Sequence, residues 1–104
     1  MDDSSDLAGT YGGVTELFSA LASPVRAAIV HHLTMGEQTV TSLVAQLGIS
    51  QPLVSQHLRV LRGARLVVTE RRGREVAYSL VDDHVAHVFL DALNHSQETH
   101  HDDD

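Results

Sequence analysis

The chain has 104 residues, 42% of them hydrophobic, no Cys and a formal charge of -7 at neutral pH. That length suits one domain with a modest core, and the absent thiols exclude disulfides, thiolate metal sites and cysteine redox chemistry. The acidic total argues at first against a nucleic-acid partner, but its distribution reverses the inference. Arg59, Arg62, Arg65, Arg71, Arg72 and Arg74 lie between positions 51 and 80 with only Glu70 and Glu75 among them, while Asp2, Asp3, Asp6 and Asp102, Asp103, Asp104 crowd the two ends. The basic middle is the candidate DNA face. No apolar run approaches membrane-spanning length, and MDDSSDLAGTYGG lacks the basic start and apolar stretch of a secretion signal, so a cytoplasmic protein without a membrane partner is expected.

Residues 1–13 carry Gly9, Gly12 and Gly13 among small and acidic residues, a composition that predicts a flexible arm. Val14, Leu17, Phe18 and Leu21 then fall at helical spacing and predict a first helix. Ser23 and Pro24 read as cap and first-turn proline of a second helix, which Val25, Ala28, Ile29 and Leu33 carry to the breaker Gly36. Thr39 or Thr41 caps a short third helix ending at Gly48, where the chain turns into SQPLVSQHLRVLR, residues 50–62. In that segment Val54, Leu58 and Leu61 form one apolar stripe, and Ser55, Gln56, Arg59 and Arg62 occupy the other faces, with Pro52 expected as the first helical residue and Gln51 as its cap. Two helices joined by a Gly turn make a helix-turn-helix whose second member suits base edges through Gln and Ser and phosphates through Arg. After Gly63 the period changes to that of strands: Leu66 to Thr69, a turn at Arg72-Gly73-Arg74, then Val76, Tyr78 and Leu80 in alternation, a β-hairpin with Arg71, Arg72 and Arg74 at its tip. The expected architecture is mainly α with a small β-hairpin, over residues 14–99, followed by an acidic and His-containing tail at 100–104. No Ser-His-Asp or phosphate-loop signature appears, so neither an enzyme nor an organic substrate is expected.

Three strings in register, LASPVRAAIVHHL, SQPLVSQHLRVLRGARLV and RRGREVAYSL, resemble the ArsR/SmtB family of winged-helix, metal-responsive repressors. The resemblance implies a homodimer on an inverted-repeat operator of double-stranded DNA, with Gln51, Pro52, Ser55 and Gln56 in the major groove and Arg59, Arg71, Arg72 and Arg74 toward the backbone. Pro52 and Gln56 stand where relatives often carry a hydroxyl or His. The family's other well-known site uses Cys in the helix before the recognition helix; TVTSLVAQLG has none, which argues against thiophilic ions.

The last helix, from Asp82 or Asp83 to about Thr99, holds Asp82, His84, His95 and Glu98. Eleven residues separate the two histidines, an advance of roughly 16 Å along a helix, so one protomer cannot bring all four to one ion. They meet only if two such helices run antiparallel across a dimer axis, Asp82 and His84 of one facing His95 and Glu98 of the other. Asp82 belongs before the first regular turn, since inside it the side chain would point away from His84. The same four residue types at this spacing mark the zinc-sensing members of the family, which makes Zn(II) the expected effector, with Ni(II) or Co(II) as the alternative if His100 or His101 joins. His87 and Asp91 are reserve donors, whereas His31, His32 and His57 read as structural or solvated. In relatives with this site, the ligating His donates from its other nitrogen to the carbonyl just before the Leu-Val pair, which is Arg65 here. The rival expectation is a winged-helix module without metal response, whose last helix only dimerises or binds a protein.

Overall fold

The computed structural model describes residues 3–98 of the chain. Its elements in order are α1 (Asp3–Leu21), α2 (Pro24–Leu33), β1 (Gln38–Thr39), α3 (Val40–Leu47), α4 (Gln51–Gly63), β2 (Val67–Arg72), β3 (Glu75–Leu80) and α5 (Asp83–Glu98). The tail at 100–104 and the expected helix end at Thr99 lie outside the described residues.

Local chemistry sets most of the boundaries. Ser23 caps α2 by accepting from the Arg26 amide, and Thr39 caps α3 by accepting from the Ser42 amide. Gly48 ends α3 in the left-handed region at φ 70°, which a Cβ would disfavour. At α4 the expected cap shifts by one residue: Ser50, not Gln51, is extended and accepts from the Leu53 amide, so Gln51 and Pro52 occupy the first two helical positions. The hydroxyl is the better acceptor for that amide, and proline tolerates either place because neither amide has an intrahelical partner.

Two features depart from expectation. The segment predicted as a flexible arm is helical from Asp3 onward, continuous with the first helix. Its helical period is carried by Leu7, Tyr11, Val14 and Phe18, all exposed, so the helix extends a stripe that three glycines obscure in the sequence. The hairpin also gains a third strand, for β1 pairs with β3 through Gln38 opposite Tyr78 and Thr39 opposite Ala77, giving the order β1-β3-β2. Two residues are too few to show a period of two. The hairpin turn is tighter than predicted: Arg72 and Glu75 are paired, leaving Gly73 and Arg74 as the loop, with Gly73 supplying the positive φ of 65°.

The core gathers Ile29 and Val30 of α2, Leu43 of α3, Val54, Leu58 and Leu61 of α4, Leu66, Val67 of β2, and Val85 and Phe89 of α5. This holds the polar face of α4 outward. α4 ends in a Schellman turn, in which the Leu66 amide donates to the Leu61 carbonyl and the Arg65 amide to the Arg62 carbonyl. Arg65 fills the left-handed position, φ 63°, normally given to Gly. Arg65→Gly is therefore expected to raise stability by about 1 kcal/mol, read as a higher urea midpoint with an unchanged slope.

Candidate nucleic-acid interface and metal centre

With Val54, Leu58 and Leu61 fully buried, α4 presents Gln51, Pro52, Gln56 and Arg59 to solvent, while Ser55 is half-buried at the edge of that face. These four exposed side chains lie on one side of the helix within its first nine residues, and Leu53 is exposed beside them. Sequence reasoning passed over the residue that fixes this helix, Arg26 of α2. Its Nε donates to the Ala20 carbonyl at 2.6 Å, and its Nη1 lies 3.1 Å from Nδ1 of His57. A guanidinium only donates, so His57 accepts at Nδ1 and carries its proton on Nε2. Arg26 thereby ties α4 to the end of α1. Its signal in the sequence was a lone cation inside the otherwise apolar LASPVRAAIV, where solvation alone is a poor explanation.

The hairpin divides its three tip arginines into two kinds. Arg71 and Arg74 are exposed and make no ion pair among the described residues. Arg72 is engaged: Nε and Nη2 donate to the two Glu37 carboxylate oxygens, each at 3.0 Å, and Nη1 lies 2.8 Å from Glu70 Oε2. The fork on Glu37 ties the wing to the α2–β1 loop. The hydrogen bond and charge of Arg72 hold the Glu70 carboxyl below its usual range, and Glu70 and then Glu37 push the Arg72 guanidinium up. A lowered carboxyl contributes stability above its ordinary pKa and loses it only as pH falls through the lowered value. The Glu70 carboxyl resonance is thus expected to titrate below the ordinary carboxylate midpoint, and Arg72→Ala to return it upward. An unmoved midpoint in that variant would remove Arg72 as the cause.

α5 buries Val85 and Phe89 and turns His84, Val88, Asp91, His95 and Glu98 outward at helical spacing. Asp82 precedes the helix as expected, its Oδ1 accepting from the Val85 amide at 3.0 Å and standing 3.9 Å from His84 Nδ1. The His84 side chain is 93% exposed, and its imidazole is open to a further ligand. His95 and Glu98 occupy the last turn, also exposed. Among the described residues no three His, Asp or Glu side chains converge within one protomer, in keeping with the spacing argument. The donor set, two imidazoles and two carboxylates free of core packing, fits a divalent cation shared between two chains. His87 and Asp91 are exposed on the same helix. His31 is held with its ring centroid 5.8 Å from that of Phe89, a packing role, and His57 is taken by Arg26.

A family model described as "Bacterial regulatory protein, arsR family" matches residues 23–69, the stretch from the α2 cap into β2. The transcriptional repressor SmtB of Mycobacterium tuberculosis is 53% identical over 83 residues, which span 80% of this chain and 62% of that protein. The transcriptional regulator NmtR of the same species is 44% identical over 84% of this chain and 72% of its own length. Among solved structures, a homodimeric winged helix-turn-helix DNA-binding domain of a possible ArsR-family regulator from Mycobacterium bovis superposes with a TM-score of 0.82 at 26% identity, covering 88% of this chain and 85% of that one. Helix-turn-helix, wing and flanking helices thus agree in sequence and in space, and the chain belongs to the ArsR family.

Proposed function

We propose that this chain is a homodimeric transcriptional repressor, acting in the cytoplasm, that holds an inverted-repeat operator when metal-free and leaves it when Zn(II) occupies sites between the C-terminal helices of two protomers. The observation that carries the metal response is the division of α5: one donor pair, Asp82 with His84, sits at its start, and another, His95 with Glu98, at its end, both exposed. Antiparallel pairing of two α5 helices brings each pair to the other, twice per dimer. Zn(II), when bound, supplies a link between the two helices through nitrogen and oxygen donors. Asp82 is preset for this by its bond to the Val85 amide. The second copy also supplies the missing partner for the exposed α1 stripe, in which Phe18 is 55% exposed.

On the DNA side, Gln51, Pro52, Ser55 and Gln56 read bases, and Arg59, Arg71 and Arg74 bind phosphates. Ni(II) or Co(II) is the second reading if His100 or His101 joins the four donors, with His87 and Asp91, exposed on the same helix, in reserve. The test is fluorescence anisotropy of a duplex selected by the metal-free protein, with and without Zn(II), Ni(II) and Co(II). Zn(II) is expected to weaken binding by about 5- to 150-fold, the usual size of such coupling. Tight binding unmoved by all three ions would leave a DNA-binding module without a metal response.

A further inference from the structure

Leu53 is the third residue of α4 and 38% exposed, and among the first six residues of this helix the other exposed side chains are those of Gln51, Pro52 and Gln56. The other large exposed apolar residues of the helices fall elsewhere: Leu7, Tyr11, Val14 and Phe18 on α1, Val88 on α5, and Val60 toward the far end of α4. Side chains on a helix lean toward its N-terminus, so Leu53 inclines to the end of α4 that a helix-turn-helix places against base edges. An isobutyl group neither donates nor accepts. Among the features a base pair shows in the major groove, the C5-methyl of thymine is the one it complements.

We infer that Leu53 is a specificity-determining residue that reads a thymine methyl in each operator half-site, through apolar contact rather than hydrogen bonding. This rests on the reading of α4 as the recognition helix. Gln56, three residues on and on the same side of the helix, remains available for a hydrogen bond to an adjacent base.

The test begins with a duplex selected from a random library by the metal-free protein and remade with deoxyuridine in place of thymidine, one position at a time. Deoxyuridine keeps every hydrogen-bonding atom and lacks only the methyl. One position per half-site is expected to cost the wild type about four-fold in affinity, the effect of burying one methyl. Leu53→Ala is expected to bind both versions alike, and Leu53→Met, which keeps an apolar reach, to restore the discrimination. Three results overturn the inference: a selected half-site without thymine, no thymidine whose replacement costs the wild type two-fold, or discrimination that persists in Leu53→Ala. Failure to enrich any duplex would instead refute the DNA-binding reading of α4, and this inference with it.

Discussion

Replacing Arg71 and Arg74 together by Ala is expected to cut the affinity of the metal-free protein for all DNA sequences by roughly three orders of magnitude at 0.1 M salt. Each phosphate contact contributes a slope of about 0.9 in log affinity against log salt, and two contacts per protomer make four per dimer, roughly 3.6 in the slope. Both arginines project from the wing without a carboxylate partner among the described residues, so neither gives up an ion pair to reach phosphate. Arg72 behaves differently in this reading, because Glu37 and Glu70 already neutralise it. Arg72→Ala is expected to lower affinity by about 2- to 5-fold, the worth of an exposed ion pair, while leaving the salt slope unchanged. Glu37→Gln separates the alternatives by sign. Removing a negative charge near DNA strengthens binding if Arg72 is a phosphate ligand held in reserve, and weakens it if the fork on Glu37 is what positions the wing. Anisotropy titrations at four or more salt concentrations read slope and affinity together, and an undiminished slope in the Arg71 and Arg74 variant would move the backbone contact to another surface.

The elements of this fold were legible where a local rule decides them. Val54, Leu58 and Leu61 fall at a period that only a helix satisfies, and each is fully buried. Thr39 and Gly48 bracket α3 through capping chemistry written in the residues themselves. What escaped depends on partners distant in sequence. β1 is a strand only because Tyr78 and Ala77 lie beside it. The first half of α1 is helical with its apolar stripe exposed, and reading its glycines as a break ignored the spacing of Leu7, Tyr11 and Val14. The Glu37 to Arg72 pair spans 35 residues, and the Arg26 to His57 contact spans 31. No periodicity reports such contacts, so the wing arginines looked equivalent and Arg26 looked incidental. The proposed metal donors, Asp82, His84, His95 and Glu98, come from the resemblance to the family, and their spacing along one helix rules out closure on that helix alone.

The proposed coupling between α5 and α4 makes the most specific demand on the molecule. In the proposed relay His95, were it to ligate the metal through one ring nitrogen, would donate from the other to the Arg65 carbonyl, the kind of bond that fixes a ligating imidazole in its tautomer and orientation. The local structure supports this acceptor. Arg65 closes the Schellman turn with its amide, its left-handed φ of 63° sets its peptide apart from the α4 ladder, and no donor reaches its carbonyl among the described residues. The next residue, Leu66, is buried, and its carbonyl accepts from the Val81 amide one residue before Asp82, a hydrogen bond that joins the segment after α4 to the segment before α5. Substituting His95 by Asp, which ligates through oxygen and has no second donor, is expected to leave Zn(II) binding measurable and to remove most of the release, reducing a coupling of about 100-fold to below about 5-fold. Arg65→Gly serves as the control, because it changes the side chain and keeps the carbonyl, and its release is expected to match the wild type. Full release of the operator by Zn(II) from the His95 variant would sink the relay and transfer the coupling to a rigid-body shift of one protomer against the other.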